Sequence, residues 1–290
     1  MKKFLAIALA AVMLFAFAAC GSKTKTDATN TDAAAMVKLI DINLSDEQYG
    51  FGVAKENEEL LGQINAFLAK IKDDGTFDAI WNKYFGDGTP EGVVSAEYDE
   101  SKDQLVVATE VGFYPFEYVE GDLYYGVDME IAALFAKELG KELVIKSMLF
   151  DAVLTDVQLG KSDIAMAALT ISEERKDVVS FSDSYISATQ KIIVKADDTR
   201  FDACKTAEDV VAELDKLPAG TKIGAQGGTT GQLYIEGSED LGFKGIANAE
   251  CKAYDNPTLA VTDLVNGNIE LVIVDAAPAQ ALVENFNELA

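Results

Sequence analysis

Beyond residue 36 the chain alternates between two patterns of apolar residues. Short apolar runs such as 105–109 predict strands, whereas apolar residues three and four positions apart, as in 57–71, predict helices. Elements that alternate in this way indicate an α/β fold. One series of elements runs from 104 to 194 and a second from 207 to 288, so the pattern predicts two lobes.

Capping residues and glycines at the ends of these patterns give the expected boundaries. Helices are expected at 57–71, from a Thr76 cap to 85, and at 127–139, 153–159, 172–178, 207–217, 230–236, 258–265 and 277–288. Strands are expected at 38–44, 49–54, 105–109, 143–147, 163–167, 191–194, 222–225, 249–254 and 271–274. The polar segment 86–103 is expected to be a linker.

The beginning of the chain carries a targeting pattern. Lys2 and Lys3 precede an uncharged run that ends at Cys20, which is typical of a secretory signal and short for a transmembrane helix. Residues 14–20 resemble a bacterial lipobox, which implies cleavage before Cys20 and a lipid on its sulfur. An ordinary secretory signal is the alternative. We therefore expect a lipoprotein signal peptide at 1–19 and a flexible tether at 20–36.

Composition excludes several classes of function. The 290 residues hold 24 Lys+Arg against 49 Asp+Glu, a net charge of −25, which argues against a nucleic-acid partner. There is no His, so Ser-His-Asp and Cys-His catalysis are excluded, and a zinc site would need carboxylates or thiols alone. Three cysteines are too few for a disulfide scaffold. We expect no catalytic residue, metal or cofactor.

A series of motifs resembles the bacterial extracellular solute-binding proteins of family 3, which bind amino acids for ABC importers. The motifs are VATEVGFYPFE at 107–117, GVDMEIA at 126–132, FDAVL at 150–154, GKSD at 160–163, TISEER at 170–175, FSDSY at 181–185, GGTTG at 227–231 and VDAAP at 274–278. The resemblance implies a two-lobed, periplasmic-binding-protein-like fold of type II. Its hinge would be two strand crossings, near 184–189 and 45–49.

The order of the segments departs from that family. Residues 49–86 look like the end of such proteins, yet they stand at the front. We therefore expect a circularly permuted chain in which the linker 86–103, long enough to span about 23 Å, joins the original ends. Lobe 1 would comprise 50–184, and lobe 2 would comprise 37–49 plus 185–290. Two partial genes joined together are the alternative.

The resemblance implies how the two charged ends of an amino acid would be bound. Arg175 and Thr170 would face the carboxylate, since a guanidinium can bind a carboxylate through two hydrogen bonds. The glycine-rich turn before Thr229 and Thr230 would offer N–H groups from the other lobe. Asp275 would bind the ammonium. The carbonyl of Ala168 and the Thr170 hydroxyl would complete that shell.

Four further residues would surround the ligand side chain. Phe113 and Phe150 resemble the aromatic pair that encloses it in the family. Glu110 stands where an acid meets the distal group of the ligand, with Gln226 near it, so arginine, lysine or glutamine is favoured. Plain alternatives exist: core packing for the two aromatic residues, an exposed carboxylate for Glu110, a solvated charge for Arg175, and a helix cap for Asp275.

The expected partners are a free amino acid, an ABC transporter permease and, through the lipid, the bacterial cell membrane, so the protein would lie outside the cytoplasm. An enzyme resembling cyclohexadienyl dehydratase and a sensory amino-acid receptor are the rival functions. Cys204 and Cys251 either form a disulfide or are two separate small buried residues.

Overall fold

The structure is a computed structural model that describes residues 35–290. Its strands are β1 Val37–Ile40, β2 Glu47–Tyr49, β3 Gly52–Val53, β4 Gln104–Thr109, β5 Gly112–Phe113, β6 Glu117–Glu120, β7 Leu123–Tyr125, β8 Glu142–Ser147, β9 Ile164–Ala165, β10 Ser180–Phe181, β11 Ile186–Ala188, β12 Gln190–Lys195, β13 Thr221–Gln226, β14 Ala249–Tyr254 and β15 Leu271–Asp275. Its helices are α1 Glu58–Asp73, α2 Thr76–Phe85, α3 Val127–Leu139, α4 Phe150–Gln158, α5 Glu173–Lys176, α6 Ala207–Leu214, α7 Thr230–Glu236, α8 Pro257–Val265 and α9 Ala276–Glu288.

Two five-stranded sheets share one plan. The strand order is β10-β3-β9-β4-β8 in the sheet of lobe 1 and β1-β12-β15-β13-β14 in the sheet of lobe 2. In each sheet three parallel strands are extended at one edge by two antiparallel strands. The prediction of an α/β protein with two lobes is confirmed.

The chain passes between the two sheets twice. One crossing contains β2 and the other contains β11, and the two pair antiparallel with Tyr49 opposite Ile186. These are the segments in which the hinge was predicted. Two short strands that are hydrogen-bonded to each other therefore join the lobes.

Helix α1 shows how the local sequence builds this fold. Asn57 caps it by accepting a hydrogen bond from the Leu60 N–H at 3.2 Å. A buried stripe of Leu60, Ile64, Phe67, Leu68 and Ile71 then faces the core. That core contains buried residues of both lobes, such as Met129 and Val272. Two smaller clusters cover the opposite sides of the sheets.

Several predicted details are wrong. Thr76 does not cap α2: Gly75, with φ +80°, occupies the cap position, and the Thr76 N–H donates to Asp74 Oδ1 at 2.9 Å. Of the predicted strand 49–54, only Tyr49, which ends β2, and the Gly52–Val53 pair of β3 lie in strands. The small sheet β5-β6-β7 was not predicted.

The linker 86–103 is packed against lobe 1 instead of being free. Val93 is buried and exchanges backbone hydrogen bonds with Tyr124 at 2.7 and 2.9 Å. The Ala96 N–H donates to the Leu143 carbonyl at 2.8 Å, so this part of the linker runs along the edge of β8. The linker forms these hydrogen bonds with backbone groups at open strand edges. The polar sequence of the linker does not by itself reveal that such edges lie beside it.

Three remaining expectations concern cysteines and membranes. The signal peptide and Cys20 lie outside the residues that the structure describes. Cys204 and Cys251 are free thiols, so the disulfide is not formed. Cys204 lies in the segment before α6, and Cys251 lies within β14. Each of the two side chains is partly buried and packs against the hydrophobic core of lobe 2. Within residues 35–290, every helix is too short or too polar to span a bilayer.

Candidate functional site

The predicted site residues gather at the carboxyl ends of the parallel strands of both sheets. In lobe 1, Glu110 follows β4, Phe150 follows β8 and Thr170 follows β9. In lobe 2, Gln226 ends β13 and Asp275 ends β15. Ligands of open α/β sheets bind at this edge, and here two such edges face each other.

Arg175 connects the two lobes. Its Nη1 donates to the Thr170 carbonyl at 2.9 Å, and its Nη2 donates to the Gly228 carbonyl of lobe 2 at 3.0 Å. The guanidinium carbon lies 5.4 Å from the centre of the Phe150 ring. Burial lowers the pKa of Arg175, whereas Glu47 and Asp275 raise it. Arg175 therefore remains a cation between acids of the hinge and of lobe 2.

Because Gly228 has no side chain, the two lobes can approach each other closely at this position. Gly228 has φ +76°, and a Cβ atom there would lie 3.1 Å from Asp151 Cβ of lobe 1. A side chain would therefore both strain the backbone and crowd the opposite lobe. A further contact across the cleft joins the Glu174 N–H to Asp240 Oδ2 at 2.9 Å.

Asp275 is held toward the cleft. It occupies the position before α9, but its side chain makes no capping hydrogen bond. Instead it accepts a hydrogen bond from the Tyr49 hydroxyl of the hinge. Burial, and then the nearby Glu47, raise the pKa of Asp275 to about 7. A cationic group placed beside Asp275 would favour the ionised form of this carboxyl group and lower its pKa again.

A chain of buried hydrogen bonds runs through the hinge from one lobe to the other. Thr170 Oγ1 donates to Glu47 Oε2 at 2.7 Å, and Gln190 Nε2 donates to Glu47 Oε1 at 3.0 Å and to Thr230 Oγ1 at 3.1 Å. The hydroxyls of Thr170 and Thr230 lie 3.5 Å apart. Sequence reasoning missed Glu47, Tyr49 and Gln190 as site residues, although Glu47 and Tyr49 lie within the predicted crossing at 45–49.

Glu110 and Gln226 face each other from opposite lobes. Burial raises the pKa of Glu110 to about 7, while the Gln226 amide and the Gly112 N–H lower it. The expected alternative for Glu110, an exposed carboxylate, is wrong because its side chain is only 8% exposed. Nearby, Thr229 Oγ1 donates to the Gln226 carbonyl at 2.8 Å, which fixes the turn before α7.

The two aromatic residues have different surroundings. Phe113 is buried, with its ring centre 6.2 Å from that of Phe116. Phe150 is half-buried beside Arg175, where a cavity of about 290 Å³ opens between the lobes. Phe150 therefore borders the cleft, whereas Phe113 belongs to the hydrophobic core.

Ala168 adopts a backbone conformation that few residues other than glycine adopt. Its φ is +46°, and its N–H donates to Asp128 Oδ2 at 2.9 Å. The Tyr185 hydroxyl donates to Asp128 Oδ1 at 2.7 Å. Burial raises the pKa of Asp128 to about 7. Asp128 and Tyr185 thus hold the strained segment that leads to Thr170.

Comparisons with known proteins identify the family of this chain. The profile of the bacterial extracellular solute-binding proteins, family 3, matches residues 105–287. The arginine-binding extracellular protein ArtP of Bacillus subtilis (strain 168) is 35% identical over 99 residues, 34% of this chain and 39% of ArtP. The L-cystine-binding protein TcyJ of Escherichia coli (strain K12) is 27% identical over 191 residues, 65% of each chain. The chain thus spans less than two thirds of each relative.

Solved structures show the same fold. The crystal structure of the ancestral amino acid-binding protein AncCDT-1, a precursor of cyclohexadienyl dehydratase, superposes with a TM-score of 0.55 and 28% identity. The match covers 63% of this chain and 74% of that protein. With a profile match over more than half of its length, the chain belongs to the bacterial extracellular solute-binding proteins, family 3.

Proposed function

We propose that this protein is a lipid-anchored receptor that captures a polar or cationic amino acid and delivers it to an ABC importer. The observation that carries the proposal is the placement of one cation, Arg175, and one carboxylate, Asp275, on opposite lobes of one cleft. A free amino acid carries the complementary pair, a carboxylate and an ammonium. Membership of an extracellular solute-binding family and similarity to an arginine-binding protein support the same function.

Capture would occur by closure of the hinge. Lobe 1, residues 50–184, and lobe 2, residues 37–49 plus 185–290, would move about the β2–β11 ribbon. A ligand that contacts both lobes favours the closed arrangement because it binds that arrangement more tightly. The importer would then recognise the closed lobes, and the lipid on Cys20 would keep the receptor at the membrane.

Circular permutation is the proposed origin of the segment order. The family profile begins at residue 105, yet β1 completes the sheet of lobe 2 and α1 packs against α3 of lobe 1, where the ring centres of Phe67 and Phe135 lie 5.3 Å apart. Asn287, near the end of α9, makes three hydrogen bonds to Met36 and Val37. Residues that a non-permuted relative would join by a peptide segment are therefore in contact here.

Binding without catalysis is the proposed mode of action. A dehydratase of prephenate-like acids would have to hold two carboxylates. In this cleft Arg175 is surrounded by acids, among them Glu47 and Asp275, and these would repel a second carboxylate of the substrate. The charge distribution favours an amino acid over a dicarboxylic acid.

A thermal-shift screen of the twenty amino acids tests the proposed function. A ligand at about 100 times its Kd adds roughly 2.7 kcal/mol to stability, which raises the Tm by about 5–10 °C for a chain of this size. We expect arginine, lysine or glutamine to produce this rise, Arg175→Ala to abolish it, and Lys176→Ala, an exposed neighbour on α5, to retain it. An undiminished response of the Arg175→Ala variant would contradict the site.

A further inference from the structure

Glu47 is a buried carboxylate at the centre of the hydrogen bonds that cross the hinge. It lies in β2, it is 3% exposed, and three side chains donate to it. Thr170 Oγ1 of lobe 1 donates to Oε2 at 2.7 Å. Ser45 Oγ and Gln190 Nε2 donate to Oε1 at 2.5 and 3.0 Å. Because an ionised carboxylate accepts hydrogen bonds and donates none, it determines which way each of these partners points.

The bond to Glu47 fixes the polarity of the Thr170 hydroxyl. A hydroxyl has one proton and two lone pairs, and the Thr170 proton lies in the bond to Glu47. Only lone pairs then remain for a group that enters the cleft. The Thr170 hydroxyl is therefore an acceptor toward the cleft, which suits an N–H donor such as an α-ammonium.

Gln190 gives the hydroxyl of Thr230, in lobe 2, the opposite polarity. The amide nitrogen of Gln190 donates to Glu47 and also to Thr230 Oγ1, at 3.1 Å. An amide oxygen could not take this place, because it would meet the carboxylate oxygens of Glu47. Thr230 Oγ1 thus accepts within the network and can offer its own proton to an acceptor in the cleft. The hydroxyls of Thr170 and Thr230 lie 3.5 Å apart, so the two polarities stand side by side.

This arrangement leaves Gln190 without one of its hydrogen bonds. Gln190 is fully buried, and among residues 35–290 its Oε1 has no hydrogen-bond partner. An unpaired buried acceptor is unfavourable, and a reversed amide would let the oxygen accept from the Thr230 hydroxyl. Glu47 opposes that reversal. The polarity of the network is therefore maintained against an alternative that would satisfy Gln190.

We infer that Glu47 is a positioning residue that sets the hydrogen-bonding polarity of the cleft, with Thr170 as acceptor in lobe 1 and Thr230 as donor in lobe 2. A matching molecule carries an N–H donor and an acceptor attached to one carbon atom, as the ammonium and carboxylate of an α-amino acid are. A 2-oxo acid presents acceptors at both places, so the cleft should reject it. The inference rests on the proposed amino-acid-binding function and deepens it, because selectivity against 2-oxo acids would then depend on a hinge residue.

Glu47→Gln tests the inference because it should reverse the Thr170 hydroxyl. The new amide oxygen would accept from Ser45 and Gln190, as Oε1 does now. The new N–H group would then donate to Thr170 and turn the Thr170 proton toward the cleft. Isothermal titration of the full chain, with competition for weak binding, compares arginine with its 2-oxo analogue, 5-guanidino-2-oxopentanoate. We expect arginine to bind about 10- to 100-fold more weakly to this variant and the 2-oxo analogue to bind equally or more tightly.

Asp46→Asn is the matched control for charge. Asp46 is an exposed acid one position from Glu47, so the substitution removes the same charge without touching the network. Both affinities should stay within about 3-fold of those of the parent chain, because exposed charges interact weakly in water.

Thr170→Val tests the same polarity while Glu47 stays unaltered. It replaces the hydroxyl by a methyl group, so arginine affinity should fall about 10-fold or more while the affinity for the 2-oxo analogue should not fall. Thr230→Val removes a donor to the carboxylate that both molecules share, so it should weaken both to a similar degree. Glu47→Gln should cost much less arginine affinity when it is added to Thr170→Val than when it is made alone, because Glu47 acts through Thr170.

The outcomes separate the inference from the function on which it rests. If Glu47→Gln or Thr170→Val binds arginine like the parent chain, or weakens arginine and its 2-oxo analogue equally, the inference is wrong and an amino-acid receptor remains. If none of the twenty amino acids binds the parent chain, the proposed function itself fails. If lysine or glutamine is the ligand, its own 2-oxo analogue takes the place of that of arginine. Thr170→Val decides the question even if Glu47→Gln does not fold.

Discussion

Asp275 shows how a hydrogen bond to the hinge orients a buried carboxylate at the start of a helix. A carboxylate at the start of a helix usually accepts from the N–H groups of the first turn. Here the Asp275 side chain accepts from the hinge Tyr49 instead, and it is 5% exposed. Asp275 thus has the backbone position of a helix cap, while its side chain is bonded to the hinge.

Binding of a cationic ligand should depend on pH through the buried carboxyl groups. Burial raises the pKa values of Glu110, Asp128 and Asp275 to about 7, from unfolded values of about 4. Without ligand, the folded protein holds more protons than the unfolded chain between about pH 4 and 7, so its stability should fall as the pH rises through this window. A bound cation favours the ionised carboxylates, so affinity should rise over the same window.

Thermal unfolding with and without arginine at pH 5.5 and pH 8 measures this linkage. We expect a larger arginine-induced rise in Tm at pH 8 and proton release on binding at intermediate pH. The relevant groups facing Glu110 are Glu117 of its own lobe and the Gln226 amide of the other. An arginine effect that is equal at both pH values, or larger at pH 5.5, would contradict these assignments.

Individual residues differed in how well the sequence predicted their place. Arg175, Thr170 and Asp275 belong to distinctive motifs, so their convergence was predictable. Glu47 and Gln190 belong to the two hinge crossings, 143 positions apart, and only the pairing of those crossings brings them together. Glu117 resembles any acid of an alternating strand, and its burial depends on how lobe 1 packs around the small β5-β6-β7 sheet.

At the scale of elements, the junction between α9 and β1 is held by one side chain. Asn287 Oδ1 accepts from the Met36 N–H at 2.9 Å and the Val37 N–H at 3.1 Å, and its Nδ2 donates to the Val37 carbonyl at 3.0 Å. These bonds anchor the beginning of β1, an edge strand of the lobe 2 sheet, to α9.

Asn287→Ala should therefore destabilise lobe 2. It leaves backbone groups of Met36 and Val37 without partners, which costs about 1–3 kcal/mol in the free energy of unfolding. Denaturant unfolding measures the change, with Asn285→Ala, exposed on the same helix, as the control expected to stay within about 0.5 kcal/mol. Equal effects of the two substitutions would show that the junction does not depend on this side chain.

Elements with long apolar periodicity were predicted well. Helices α3 and α7 and strand β14 begin and end at the predicted residues. Strands of two or three residues, such as those of the hinge and of the β5-β6-β7 sheet, are too short to show a period. Their existence depends on partners elsewhere in the chain, as does the docking of Val93 and Ala96 in the linker.

At the scale of the whole molecule, charge and topology act together. The chain carries −25 overall, and part of this negative charge lies close to Arg175, on Glu47 of the hinge and Asp275 of lobe 2. An acidic surface attracts cations over distance and repels anions. The two-lobed fold class followed from the sequence, whereas the contact between Arg175 of lobe 1 and Gly228 of lobe 2 required the structure.

A crystal structure of the protein with bound arginine tests the central claim most directly. We predict the α-carboxylate within hydrogen-bonding distance of the Arg175 guanidinium and the α-ammonium against the Asp275 carboxylate, with both lobes touching the ligand. Arginine bound at a place that Arg175 does not reach would contradict this claim, for example in the cavity of about 560 Å³ beside the hinge that Trp81, Phe85 and Asp275 line. A bound amino acid that contacts neither Arg175 nor Asp275 would contradict it equally.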